Sequence, residues 1–181
     1  MVDISGDWFL ERVGHHGIGQ ELKDLAKWLG VNEDQLLRDD EEEEYWAEFP
    51  EHGLCLALEK LTDLEDEELV LPEDAWCLVR LILYGPDAGP EDGCWKGAWP
   101  LSIRSQAFTF EDAVSLLGDD NTADDYGTPA EKEERDVTFF IEGRDGLERA
   151  VGLTWGPSLD RLEQLLAISM MPSEPFPKGP A

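Results

Sequence analysis

Apolar residues along the chain recur first at helical spacing and then at alternate positions. Leu22, Leu25, Ala26 and Leu29 stand at i, i+3, i+4 and i+7, and Gly30 follows as a stop, which predicts an amphipathic helix over Gln20 to Leu29. Asn32 with Gln35 three residues later reads as a capping pair that opens a shorter helix carrying Leu36 and Leu37. A further short helix is expected near Asp7 to Val13, before Gly14, Gly17 and Gly19 break the chain.

After Asp40 the period falls from 3.6 to 2. Tyr45, Trp46 and Phe49, a turn at Pro50 to Gly53, then Leu54, Leu56 and Leu58 form a hairpin pattern. Ala75 to Tyr84 is nearly continuous in apolar residues and ends at Gly85-Pro86, as a strand buried on both faces would. Cys94 to Leu101 is read as a further short strand. Thr109 with Asp112 forms a capping box for a helix whose apolar face is Phe110, Ala113, Val114 and Leu117, ended by Gly118. Val137 to Glu142 and Leu147 to Trp155 flank a turn at Gly143 to Gly146, a second hairpin. Ser158 then opens a pattern of Leu159, Leu162, Leu165 and Leu166 that predicts a C-terminal helix to about Ile168. The expected fold is therefore α+β: N-terminal helices, a mainly antiparallel sheet from Tyr45 to Trp155, and a C-terminal helix. It forms a single domain over residues 1–171, and the Pro-rich 172–181 is a tail without a fold of its own.

Composition changes that picture in one respect, which is charge. The 181 residues carry 42 Asp and Glu against 14 Lys and Arg, a formal charge of -28. Seven Trp, seven Phe and a hydrophobic fraction of 41% supply the burial that disordered acidic chains lack, and Trp28, Trp76 and Trp155, at helix or strand positions, are expected in the core. So few cations among so many anions disfavour a phosphate-binding footprint, and no nucleic-acid partner is expected. No stretch approaches the roughly 20 apolar residues of a membrane-spanning helix, and Asp3 and Asp7 stand where a secretory signal carries cations, so a cytoplasmic location is the expectation. Cys55, Cys77 and Cys94 then read as free thiols, with Cys55 and Cys77 inside apolar runs.

Reactive constellations are scarce. His15 and His16 are adjacent in a Gly-rich turn, where neighbouring side chains diverge, and His52 stands at a turn tip. Neither a Gly-x-Ser-x-Gly elbow nor a phosphate loop ending in Gly-Lys-Ser/Thr is present. Among the many carboxylates, Glu59 and Glu142 at strand ends are the candidates for acid and base work. Asp119, Asp120 and Asn121 with Asp124, Asp125 and Gly127 form a loose relative of a calcium loop that lacks the bidentate Glu at its twelfth position. No enzyme activity, metal centre or cofactor is expected.

The acidic clusters are the strongest physical feature. Asp39, Asp40, Glu41, Glu42, Glu43 and Glu44 are followed by Glu48 and Glu51 without an intervening cation, and Asp63, Glu65, Asp66, Glu67 and Glu68 begin a second run. Self-repulsion on this scale costs stability, so a basic protein partner is expected to meet these clusters, with Trp46 or Trp95 as an aromatic anchor.

The order Tyr45-Trp46-Ala47-Glu48-Phe49, Gly53-Leu54-Cys55-Leu56, Leu78 to Gly85, Gly97-Ala98-Trp99-Pro100-Leu101 and Leu116-Leu117-Gly118, then a strand pair at Val137 to Phe140 and Ala150 to Trp155, resembles immunity proteins of bacterial polymorphic toxin systems, including those associated with type VI secretion effectors and pyocins. The resemblance implies a non-catalytic α+β domain that binds and neutralises one cognate toxin in the producing cell. Two other classes stay open: a DNA mimic that blocks a DNA-binding protein, and a small hydrolase using a buried Glu.

Overall fold

Alternation and turn chemistry gather seven strands into one sheet. A computed structural model describes residues 4–15, 18–36, 44–60, 76–86, 93–118, 122–123, 136–143 and 145–170. Its strands are β1 (Glu44–Phe49), β2 (Leu54–Lys60), β3 (Trp76–Tyr84), β4 (Thr122–Ala123), β5 (Asp136–Glu142), β6 (Glu148–Trp155) and β7 (Leu162–Ser169). They are hydrogen-bonded in the order β1-β2-β3-β7-β6-β5-β4, and every neighbouring pair is antiparallel. Six strands make the body of the sheet, and the two-residue β4 extends one edge. Helices α1 (Gly6–Leu10), α2 (Gly19–Leu29) and α3 (Glu33–Leu36) precede β1, whereas α4 (Phe110–Leu117) falls between β3 and β4. The fold is α+β.

Local signals act where they were expected. Gly30 takes the left-handed conformation at φ 73° and closes α2, whose Leu22, Leu25, Ala26 and Leu29 are buried. The Asn32 N–H donates to the Gln35 side chain at 2.9 Å at the start of α3. Thr109 and Asp112 complete a reciprocal capping box on α4. In the β1–β2 hairpin, Gly53 at φ 62° lies so close to the following coil that a Cβ there would fall 2.1 Å from backbone atoms of Cys94 and Trp95.

The predicted C-terminal helix is not formed. Leu162, Leu165 and Leu166 lie on β7, inside the sheet between β3 and β6, and Leu159 lies in the bend before it at φ 56°. Thr154 pairs with Gln164 but Trp155 pairs with Leu162, so Glu163 is an extra residue on β7, a bulge whose carbonyl accepts the Gly85 N–H at 2.6 Å. The bulge turns Leu162 inward three positions before Leu165, and that step of three imitates a helical period. Pairing on both edges satisfies the backbone, so the strand prevails over the pattern.

Three further expectations are corrected. Cys94 to Leu101 is coil ending in a turn at Pro100–Ser102, where Leu101 and Ser102 take φ of 57° and 61°; the Leu101 N–H donates to Asp7 Oδ1 at 2.6 Å. β3 is buried at successive residues only over Trp76, Cys77 and Leu78, after which Leu81 and Leu83 are buried and Arg80, Ile82 and Tyr84 are partly accessible. Trp28, expected in the core, is exposed on α2 with its ring 5.3 Å from that of His52.

One hydrophobic cluster runs from Ile4 to Ala167 and includes Phe9, Leu25, Leu56, Leu81, Val151 and Trp155. Alternate strand residues on the other side are Trp46, Arg80, Ile82, Leu166, Ile168 and Phe140, all partly or largely accessible among the described residues. Among the described residues, no helix is long and apolar enough to cross a membrane. The 172–181 segment lies outside the described residues.

Candidate functional site

The open side of the sheet is ordered by its register. One row runs Trp46, Ala57, Arg80, Ile168, Ala150 and Phe140 from β1 to β5, and the next runs Glu48, Cys55, Ile82, Leu166, Gly152 and Thr138. Small residues Ala57, Cys55 and Ala150 are buried between larger neighbours, which leaves partly accessible aliphatic and aromatic groups at the middle and the charged and indole groups at the β1 edge. Trp46 is 41% exposed, and the Arg80 guanidinium lies 5.6 Å from its ring centroid. Glu48, two residues along the same side, is exposed.

Burial, with nearby carboxylates second, raises the thiols on this side. Burial first and the charge of Glu48 second push Cys55 up to about 11. Burial first and Glu59 second push Cys77 up to about 12. Burial, then Cys55 and Glu48, also raise the Tyr84 phenol above its ordinary value. Both cysteines are buried free thiols, and Cys94 is half-buried and free.

Among the sequence-derived binding residues, the structure locates three. Glu44 opens β1, Trp46 projects from that strand into solvent, and Trp95 is 5% exposed. Trp95 is a core residue and not a surface anchor: it packs edge-on against Phe9 and donates its Nε1–H to the Ala98 carbonyl at 3.1 Å. Asp39, Asp40, Glu41, Glu42 and Glu43 lie outside the described residues, as do Asp63, Glu65, Asp66, Glu67 and Glu68 and the loose calcium-loop residues Asp119, Asp120, Asn121, Asp124, Asp125 and Gly127.

A polar constellation that residue spacing does not reveal lies at the far end of the sheet. Arg149 on β6 is 2% exposed, and its five N–H groups all have acceptors. Nε donates to the Val13 carbonyl at 3.0 Å, and the two terminal nitrogens reach the Glu11 and Leu147 carbonyls and both oxygens of Asp145. His15 Nε2 stands 2.6 Å from Asp145 Oδ2. The Arg149 guanidinium first, with help from His15 and the Leu147 N–H, holds the Asp145 carboxyl well below the usual carboxylate range. This carboxylate stays ionised, so it cannot serve as a proton donor near neutral pH.

The constellation ties residues 11–15 across to the β5–β6 turn, where Val13 also makes a parallel bridge to Leu78 and the Gly14 N–H donates to the Leu78 carbonyl at 2.8 Å. The arm thereby continues the sheet beside the half of β3 that β7 does not reach. A cleft of about 710 Å³ opens beside it, lined by Glu11, His15, Ser102, Leu116, Glu142 and Asp145 among others. Glu142 is exposed and Glu59 half-buried, so neither is a carboxylate enclosed among apolar neighbours. Among the described residues no group of three or more His, Cys, Asp or Glu side chains converges as a metal site would require. Comparison with known proteins finds no match: no family model, no curated protein and no solved structure matches the chain.

Proposed function

We propose that the protein is a non-catalytic acidic binding protein that neutralises a cognate basic toxin in the cytoplasm, an immunity protein. The observation that carries the reading is Trp46, exposed beside Glu48 on an edge strand, in a chain with 42 acidic and 14 basic residues. A negative field of this size steers a cationic partner into encounter, whereas a partly exposed indole supplies the desolvated contact that holds it. Each exposed ion pair contributes only about 0.2–1 kcal/mol, so the field acts mainly on association and the indole on dissociation.

The test mixes the purified protein with the product of the neighbouring gene, since an immunity gene normally sits beside its toxin. Stopped-flow association is expected to slow about tenfold or more between low and high salt, and Trp46→Ala to speed dissociation about tenfold. Co-expression should restore growth to cells carrying the toxin. Absence of a complex, or a complex whose association ignores salt, refutes the reading; displacement from several unrelated DNA-binding proteins by duplex DNA would instead identify a DNA mimic.

A further inference from the structure

The cleft of about 710 Å³ beside Asp145 has walls of two kinds. One is apolar: Leu10, Leu101, Leu116 and Ile141 line it, and Leu116, near the end of α4, is 46% exposed, an apolar side chain left open to water. The other is anionic. Asp7, Glu11, Glu142 and Asp145 also line the space, but Asp145 is already matched by Arg149, whose N–H groups are all taken. Asp7 accepts the Leu101 N–H, whereas among the described residues the carboxylates of Glu11 and Glu142 have neither a hydrogen bond nor an ion pair. The C-terminal end of α4, which bears partial negative charge, borders the same space, and its last turn has no basic residue to offset that charge.

We propose, resting on the partner-binding reading above, that this cleft receives a lysine side chain of the basic partner, with its methylene stem along the apolar wall and its ammonium on the carboxylates of Glu11 and Glu142. A lysine carries both kinds of surface that the two walls call for, an apolar stem and a charged head. Its three rotatable donors can serve carboxylates that come from separate elements, here the end of α1 and the end of β5, whereas the planar fork of an arginine suits a single carboxylate. A bare divalent ion is a poor occupant, because among the described residues the acidic side chains do not converge as a metal site requires. A neutral apolar ligand is also poor: it would cover the leucines but take water from two unpaired carboxylates without returning a partner. The walls are held in place before anything binds. Arg149 Nη2 donates to the Glu11 carbonyl at 3.2 Å, and the Gly143 N–H donates to the Leu147 carbonyl at 2.9 Å, which fixes the turn after Glu142. The charge of the whole chain draws the partner in, and the cleft selects a cationic side chain long enough to use both walls.

The test titrates the full chain at low salt with three blocked tripeptides, acetyl-Gly-X-Gly-amide, in which X is lysine, norleucine or diaminobutyric acid, and follows backbone amides by NMR. Norleucine keeps the stem without the charge, and diaminobutyric acid keeps the charge on a shorter stem. The lysine peptide is expected to shift the amides of His15, Ser102 and Gly143 and to bind about tenfold more tightly than either of the others. Glu11→Gln and Glu142→Gln, both at exposed sites, should each weaken lysine binding about threefold while leaving the urea midpoint unchanged. No binding of the lysine peptide, equal binding of all three, shifts confined to other parts of the sheet, or indifference to both substitutions overturns the proposal. The neighbouring gene's product gives the second arm: it should leave the double variant Glu11→Gln with Glu142→Gln about tenfold faster than the parent. Equal dissociation from parent and double variant overturns the cleft as the partner's anchor and leaves acidic capture of a basic partner standing. Failure of that product to bind the parent, with lysine binding retained, overturns instead the partner reading and leaves the cleft as a site for cationic side chains.

Discussion

Replacing Asp145 by Asn preserves the size of the side chain and removes the counterion of Arg149. The guanidinium is 2% exposed, and of its acceptors only Asp145 is charged; the others are the carbonyls of Glu11, Val13 and Leu147. Breaking a buried pair by neutralising one member costs about 3–5 kcal/mol, because the remaining charge stays buried. Here the amide oxygen can still accept one bond, and the Asp145 side chain is 24% exposed so that water reaches it, which places the loss near the lower end, about 3 kcal/mol. With a urea m value of about 2 kcal/mol per M, the unfolding midpoint should fall by about 1.5 M.

The buried tryptophans Trp8 and Trp155 make intrinsic fluorescence a suitable probe. Exchange of the Gly14 amide, which donates to Leu78 beside the latch formed by Arg149, Asp145 and His15, should accelerate in the same variant. Removing the cation as well, in Asp145→Asn with Arg149→Met, takes away the unpaired charge. The double variant should then lose less than the sum of the two single losses, by about 1–3 kcal/mol. A midpoint for Asp145→Asn within about 0.3 M of the parent, or strict additivity in the double variant, would refute the view of Arg149 as a buried charge that depends on this carboxylate.

Two other outcomes follow from the titrating groups. With Cys55 raised to about 11 and Cys77 to about 12, a thiol reagent at pH 8 should react quickly with no more than one of the three cysteines, the half-buried Cys94, until urea exposes the others; two or more fast thiols would contradict the burial. Stability should also pass through a maximum as pH falls. Protonation of surface carboxylates first relieves repulsion, whereas Asp145, whose folded carboxyl is held below its unfolded value near 3.9, contributes stability above that pH and loses it as pH falls toward its own folded range. Urea midpoints from pH 8 to 3 should show this acid limb, and it should be shallower in Asp145→Asn.

The parts of the fold legible in the sequence are those fixed by neighbours. The second hairpin and the capping box of α4 depend on residues within a few positions of one another, so turn and cap chemistry predict them directly. β7 depends on something else. Its identity as a strand comes from pairing on both edges, with β6 just before it and with β3, which lies far from it in sequence, and its bulge at Glu163 converts an alternating pattern into one with a helical step. Nothing in residues 158–168 alone distinguishes those alternatives, and only the partners do.

Site legibility divides along the same line. Acidic runs are visible as composition, but composition cannot tell which of two tryptophans reaches solvent. Trp46 stands on the open side of an edge strand, whereas Trp95 lies where Gly53 permits the coil to press against the hairpin, and the permitting residue is 42 positions away. The latch is more distant still, with His15 and Asp145 separated by 130 positions. Its consequence is mechanical. Arg149 fastens residues 11–15 beside β3, in the middle of the strand order, so that one buried side chain on β6 ties together segments 136 positions apart.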